Sequence, residues 1–358
     1  MQFLFKTAYN DDIRFLAKTG EKIRVAIAML FLIAAPLLLQ DYYLAELGLL
    51  LVYAIAGVGL MILTGHTGQV SFGHAAFLGI GAYTHSILMS KGVPFSVSIL
   101  ITVLFSGVVG MIIGRSASKM FGFYLAIATL AFGILIETVF GEWGGLTGGY
   151  QGFVVPSLKI FGMPLGEAWQ QYYLDLVLAL VVIWGASNLF RTPTGRSFLA
   201  VRDSELSARS LGVNVEWVKI QAFGVSAAIT ALGGALLAHH LTYLVPDVFG
   251  VLESLKLMLM IVVGGLGSIL GAVLGAIVIS ILPVAISFLK DVLPPSIGQT
   301  AGLEPLLFGL IIVLVIVFEP LGIYGRWMKL RFFFESFPYY RKSSFVRQKS
   351  YLKTERMR

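Results

Sequence analysis

Nine apolar stretches, most of them near the length of a membrane crossing, limit what this chain can fold into. They run Val25–Leu39, Leu44–Leu63, Phe72–Met89, Phe95–Gly114, Phe121–Phe140, Tyr172–Phe190, Ile220–Ala238, Leu255–Leu289 with a glycine break, and Leu303–Phe318. A transmembrane helix needs about 20 mostly apolar residues, so the expectation is an all-α, polytopic membrane protein. Composition agrees: only 13% of the 358 residues are charged and mean hydropathy is +0.87, whereas soluble domains carry about 25% charged residues. Water-soluble enzymes, disordered chains and nucleic-acid-binding domains are excluded as classes. The chain has no cysteine, which removes disulfides, thiolate metal sites and thiol catalysis.

The net charge of +7 is distributed in blocks. Lys and Arg number five in the leader before Val25, two just after Gly114, five from Arg191 to Lys219 and ten from Arg326 to Arg358, together 22 of the chain's 26. Basic residues near span ends favour the cytoplasmic face. Both termini are therefore expected inside, and the positive excess reads as a topological label, with no nucleic acid implied. The chain divides into a cytoplasmic leader (1–24), a transmembrane domain (25–325) and a basic cytoplasmic tail (326–358). Within the middle part lie a cytoplasmic loop (191–219) and an external loop (141–171).

Parity constrains the second half. From an inside start the chain is outside after Ala238, and the last span must run inward to deliver the basic tail. Leu255–Leu289 must then leave and return to the same side, turning at Gly264-Gly265-Leu266-Gly267-Ser268 as a re-entrant hairpin or as two crossings. The total is eight or ten crossings. A matching interruption, Thr64-Gly65-His66-Thr67-Gly68-Gln69-Val70-Ser71, falls in the first half. Non-helical backbone at membrane depth is tolerated only where protein or water satisfies it, and paired interruptions point to a substrate path. Thr64, Gly65, Gln69, Ser71 and His74, with Gly264, Gly265, Gly267 and Ser268, are accordingly the candidate path residues. The alternative is that the glycines serve only turning and tight packing, with His66 solvated at the cytoplasmic surface.

Other features favour structural roles. Gly267, Gly271 and Gly275 recur every four residues, a small-residue packing face. Glu137, Asp175 and Glu319 lie near predicted span ends, where an acid can reach water. Adjacent His239 and His240 point to different helix faces, so no two-His metal site is expected, and no metal or other cofactor is expected in the chain. The loop RTPTGRSFLAVRDSELSARSLGVNVEWVK (191–219) is too polar to span. Asp203 is positioned to cap a short helix ending near Leu211, with Gly212 past its end. Its apolar face at Leu206, Ala208 and Leu211 suits a partner's groove, or else the lipid surface. The glycine-rich external loop suits either an external partner or the membrane interface.

Several motifs together carry a resemblance: TGHTGQVSFGHAAFLGIGAY (64–83), FGFYLAIATLAFG (121–133), LTGGYQG (146–152), GRSFLAVRDSELSARSLGVNV (195–215), VVGGLGSILGAVLGA (262–276) and FEPLGIYGRW (318–327). In this order they resemble the branched-chain amino acid ABC transporter permease family, M-type membrane subunit, from about Leu44 to Trp327. The resemblance implies a non-enzymatic transport subunit of the bacterial inner membrane, paired with a second homologous permease. It also implies two cytoplasmic ATPases and a periplasmic solute-binding protein. It makes Arg202, Asp203, Ser204, Glu205, Leu206, Ala208, Arg209, Leu211 and Gly212 the coupling element against an ATPase. ARSLGVNV is similar, too, to the coupling loop of metal-chelate and vitamin permeases. No GxxxxGK[ST] sequence is present, so ATP is expected on the partner subunits. Within the family the solute is open between branched-chain amino acids, urea or short amides, and aromatic acids. The competing class is an ion-coupled secondary transporter using Glu137, Asp175 or His74. An intramembrane enzyme would need clustered catalytic groups or spaced histidine boxes, which the chain lacks.

Overall fold

The computed structural model describes residues 19–120, 122–160, 163–292, 303–318 and 322–336. Most of the leader, Glu319 and the end of the basic tail lie outside the described residues. The helices are α1 (Thr19–Leu38), α2 (Asp41–Leu60, prolonged by a π-helical turn Met61–His66), α3 (Ala75–Ser90), α4 (Phe95–Ala117) and α5 (Phe123–Glu142). They continue as α6 (Ala168–Leu189), α7 (Pro193–Asp203), α8 (Glu205–Ser210), α9 (Val215–Leu241), α10 (Val251–Gly264), α11 (Ile269–Val292), α12 (Leu303–Phe318) and α13 (Gly322–Ser336). Among the described residues six helices are long and apolar enough to cross a membrane, namely α2, α4, α5, α6, α9 and α11. The protein is an all-α polytopic membrane protein.

α9 and α2 form the centre. α9 packs along α4, α3 and α2, while α2 also receives α6, α11 and α10. Lipid tails are as apolar as leucine, so tight approach of small residues must replace hydrophobic collapse in holding the bundle together. A Cβ on Gly81 of α3 would stand 2.1 Å from the Ala231 carbonyl oxygen of α9, and one on Gly234 of α9 would stand 1.9 Å from that of Leu78. The α3–α9 backbones therefore touch on both sides of the crossing. The Gly271/Gly275 face meets α10, where added Cβ atoms would lie 2.3 Å from the Gly265 oxygen and 2.0 Å from the Met260 oxygen. This is the packing role expected of that stripe, and it closes the α10–α11 hairpin.

Two helices begin inside the membrane rather than at its surface. Lys219 of α9 reaches the Ser118 carbonyl at the C-terminal end of α4, and Thr230, eleven residues further along α9, bonds His74. At 1.5 Å per residue His74 stands about 16 Å above that end, near mid-membrane. α3 starts there. α10 starts at a similar depth, because Ser254 in its first turn accepts a hydrogen bond from the Ala75 amide, 3.0 Å. The chain reaches α3 as an irregular ascent through residues 67–74, and it reaches α10 by a descent through a 3₁₀ turn, Pro246–Phe249. The long apolar stretch Leu255–Leu289 is thus divided between a short α10 of 14 residues and a full-length α11 of 24. The first is about 21 Å long and spans only part of the bilayer.

The described residues of the 141–171 segment carry short strands. Val154 and Phe153 (β1) pair antiparallel with Tyr243 and Leu244 (β4), and Lys159–Ile160 (β2) pairs with Met163–Pro164 (β3). The Tyr243 hydroxyl donates to the Gln151 carbonyl, and that of Thr147 to the Phe140 carbonyl, 2.7 Å. LTGGYQG therefore caps the C-terminal end of α5.

Candidate functional site

The two interruptions, about 200 residues apart in sequence, meet in space beside the 191–219 segment. α2 ends in the π-helical turn, where the Thr64 hydroxyl donates to the Gln69 carbonyl, 3.1 Å, and Gly68 takes φ +72°. On the other side the α10–α11 turn uses Gly265 (φ +117°) and Gly267 (φ +87°). These are left-handed conformations that glycine adopts without a Cβ penalty. A Cβ on Gly65 would lie 2.8 Å from the Gly267 nitrogen, and the Gly267 amide faces the Met61 sulfur at 3.1 Å.

Arg202 joins both. Its Nη1 donates to the Gly65 carbonyl, 2.6 Å, its aliphatic stem lies against Gly68, and a Cβ on Gly267 would sit 2.7 Å from the same Nη1. An α2 carbonyl freed by the helix break thus finds a charged donor from α7, as buried polar backbone requires. The family resemblance sets Arg202 among the residues facing a partner; in the structure the residue is exposed, and its guanidinium reaches back to the freed carbonyl of the broken segment.

The 191–219 segment holds two helices, where the sequence suggests one. Thr192 caps α7, with Pro193 in its first turn, and the Ser204 hydroxyl accepts from the Ser207 amide, 3.2 Å, to start α8. Ser204, not Asp203, is the cap, because Asp203 still belongs to α7. Gly212 closes α8 at φ +85°, with the Val213 amide on the Ala208 carbonyl, 3.0 Å, as expected of a Gly just past a helix end. The expected apolar face is divided: Ala208 is buried against the chain, while Leu206 and Leu211 are 78% and 82% exposed. Arg209 is exposed beside them. α8 is pinned from below by Glu205, whose carboxylate pairs with buried Lys219 at 2.7 Å. Lys219 also reaches the Ser118 carbonyl of α4, 3.4 Å.

The candidate path residues are packed within the chain. Thr64, Gln69, Ser71 and His74 are 6%, 3%, 1% and 0% exposed, so in this conformation none of the four faces open space. Gly264 and Gly265 are likewise buried, and Gly267 and Ser268 are half-buried. His66 is buried as well and stacks on Phe190, centroids 3.6 Å apart; the alternative that placed it in solvent is corrected, because the residue at the C-terminal end of α6 covers it. His74 is held by Thr230 (2.9 Å) and Ser226 (3.1 Å) of α9. Gly73 sits so close to α5 that a Cβ would fall 1.8 Å from the Thr129 carbonyl oxygen.

Most of these partners carry no sequence signal. Thr129, Ser226, Thr230 and Ser254 are isolated hydroxyls in apolar runs and become recognisable only once helices are paired. Asp175, near a span end in sequence, lies within α6 and is 1% exposed, with Oδ2 2.7 Å from His240 Nε2. His239 meets His85 at 3.0 Å, and His85 takes Ser98 at 2.7 Å. Lys256 of α10 rests on Tyr53, 3.0 Å from its hydroxyl, and on Glu253, 3.4 Å. No cluster of three or more His, Asp or Glu suited to a metal occurs among the described residues.

Comparison with known proteins places this arrangement. The family model described as "Branched-chain amino acid transport system / permease component" matches residues 42–318. The high-affinity branched-chain amino acid transport system permease protein LivM of Escherichia coli strain K12 is 26% identical over 328 residues, covering 85% of this chain and 75% of the relative. LivM of Salmonella typhimurium is 27% identical over 298 residues, 76% of this chain and 68% of the relative. The autoinducer 2 import system permease protein LsrC of Salmonella paratyphi B is 26% identical over 266 residues, 70% and 74% respectively. No solved structure matches the chain. With apolar helices enough for many crossings and this kinship over most of its length, the chain is a multi-pass protein of the bacterial inner membrane and belongs to the branched-chain amino acid transport permease family.

Proposed function

We propose that the chain is one of two homologous membrane subunits of an ATP-driven importer. In this reading it carries branched-chain amino acids delivered by an external solute-binding protein, and two cytoplasmic ATPases supply the energy. The observation that carries the reading is the Arg202 contact: a cytoplasmic loop with an exposed apolar pair is tied by one side chain to both broken segments of the bundle. Leu206, Arg209 and Leu211 suit seating in a groove on an ATPase, the mode by which short amphipathic helices dock. Ser204, Glu205, Ala208 and Gly212 shape α8 and fix it to α9. When the ATPases close and shift α8, Lys219 and Arg202 carry the movement to α4 and to the joint at Gly65/Gly267.

The burial of Thr64, Gln69, Ser71 and His74 makes the interrupted segments a joint in this reading, rather than the wall of a passage. The passage runs along this chain's outer faces, against the second permease. Nothing in the bundle is then asked to convert energy.

The test is uptake of radiolabelled leucine in proteoliposomes. Transport should require the partner permease, both ATPases, the binding protein and ATP. Uptake by this chain alone under a proton or sodium gradient would replace the proposal with a secondary transporter.

A further inference from the structure

We propose that Lys256, Glu253 and Tyr53 form a binding site for a zwitterionic α-amino acid near mid-membrane, Lys256 taking the carboxylate and Glu253 the ammonium group. The proposal rests on the amino-acid reading above and gives it a place on α10. Lys256 Nζ lies 3.0 Å from the Tyr53 hydroxyl of α2 and 3.4 Å from Glu253 Oε2. It also stands 4.5 Å from the centre of the Tyr53 ring, where the aromatic face attracts a cation. Ser254, which accepts from the Ala75 amide, sets the depth: Lys256 follows it by two residues, about 3 Å along the helix axis. Charged groups at such depth are costly, and where they occur they pair and mark substrate pathways.

The pair is closed loosely. Charge-assisted N–H···O bonds run about 2.7–2.9 Å, shorter than the 3.4 Å found here. Glu253 Oε1 is buried with no hydrogen-bond partner. An ammonium has three donors, of which Tyr53 and Glu253 engage two among the described residues. Each ion therefore keeps one unused bonding position. A zwitterion carries the complementary set on a single carbon, and its binding exchanges one ion pair for two without changing the net charge. An amine or an acid alone would leave one member in excess, and urea would bring no charge to either. The terminal torsion of a Glu side chain is soft, so a small turn brings Oε1 towards the open face. That face suits an aliphatic side chain: Leu252 and Leu259, four positions before and three after Lys256, are its neighbours on the helix surface. Leu252 is 83% exposed, Leu255 is exposed and Leu259 is half-buried, while the Lys256 side chain itself is 28% exposed.

The test uses the assembled importer in nanodiscs, where both membrane faces meet the reagent. Leu252→Cys places a thiol one turn from Lys256, and trimethylammonium-ethyl methanethiosulfonate labels it only if water reaches this face; the importer with Leu252 intact sets the background. Millimolar leucine should slow labelling several-fold, while isoamylamine and isocaproate, which each lack one of its charged groups, should slow it little. Adding Lys256→Met together with Glu253→Gln removes both charges at once. This should raise the leucine concentration needed for protection about tenfold, the scale of one charged hydrogen bond, without lowering the melting temperature. The analogue comparison leaves the pair unaltered and so stands even if the double variant fails to assemble. Absence of labelling, equal protection by the three compounds, or unchanged protection in the double variant would each overturn the site. Leucine uptake by the unmutated importer is measured alongside: if it persists through such a result, only the site falls, and if it is absent, the amino-acid reading falls with it.

Discussion

Replacing Arg202 with Ala should break the link between ATP hydrolysis and transport without unfolding the bundle. The side chain is largely exposed, and its guanidinium is held by the 2.6 Å contact to the Gly65 carbonyl. Hydrogen bonds from charged groups contribute about 1.5–3 kcal/mol, and the exposure argues for the lower end, about 1.5 kcal/mol. If the bond exists in one state of the cycle and not the other, its loss shifts that equilibrium about tenfold, at about 1.4 kcal/mol per decade. Leucine transported per ATP hydrolysed by the reconstituted importer should fall by that order, with hydrolysis itself retained. Arg202→Lys keeps a charged donor but loses the planar fork and should give an intermediate ratio. Gly267→Ala, whose Cβ would stand 2.7 Å from Nη1, should displace the guanidinium as Arg202→Ala removes it, with the added backbone strain of a Cβ at φ +87°. The two substitutions combined should be less than additive, as for residues in contact. An unchanged transport-to-hydrolysis ratio in Arg202→Ala, or full additivity in the pair, would refute the transmission role.

Leu206→Asp with Leu211→Asp should abolish ATPase-coupled uptake while leaving the amount of inserted protein unchanged, because both side chains face solvent in the single chain; co-purification of the ATPases with the variant measures the lost docking. Asp175→Ala should destabilise the detergent-solubilised protein by roughly 1–3 kcal/mol, the cost of leaving the buried His240 imidazole without its hydrogen-bond partner. His240→Gln with Asp175→Asn should recover much of this in a thermal melt. A cysteine in place of Tyr150 should be labelled by an impermeant maleimide from outside only, and one in place of Leu211 from inside only; the reverse pattern would invert the topology proposed from the basic residues.

The sequence shows a polytopic helical membrane fold because the bilayer imposes one length and one polarity on each crossing; its eight or ten crossings compare with six helices of full crossing length among the described residues. It also shows the two interruptions, since a Gly-rich polar run cannot continue a lipid-facing helix, and the end of α8 at Gly212, where local chemistry dictates the turn. What it conceals is pairing. Nothing near Arg202 announces that its guanidinium folds back to Gly65, for the attracting group is a backbone carbonyl and carries no residue signature. Asp203 and Ser204 are both good caps, and their choice depends on where α7 stops. Burial of the Thr64–His74 segment is equally invisible, because a polar run reads alike whether it meets water or a neighbouring helix.

α10 has one more property. It is a helix of about 21 Å whose first end is fed by the segment that forms the β4 ladder with the 146–152 cap, and whose second end turns at Gly265–Gly267 beside Arg202. A protein docking on the cap and a protein gripping α8 would press on opposite ends of the same rigid body. Thermodynamic reciprocity then applies: the factor by which a nucleotide state of the ATPases alters affinity for the external binding protein must equal the factor by which that protein alters nucleotide affinity. Signalling across the membrane in either direction would need no carrier other than fourteen residues moving as a unit.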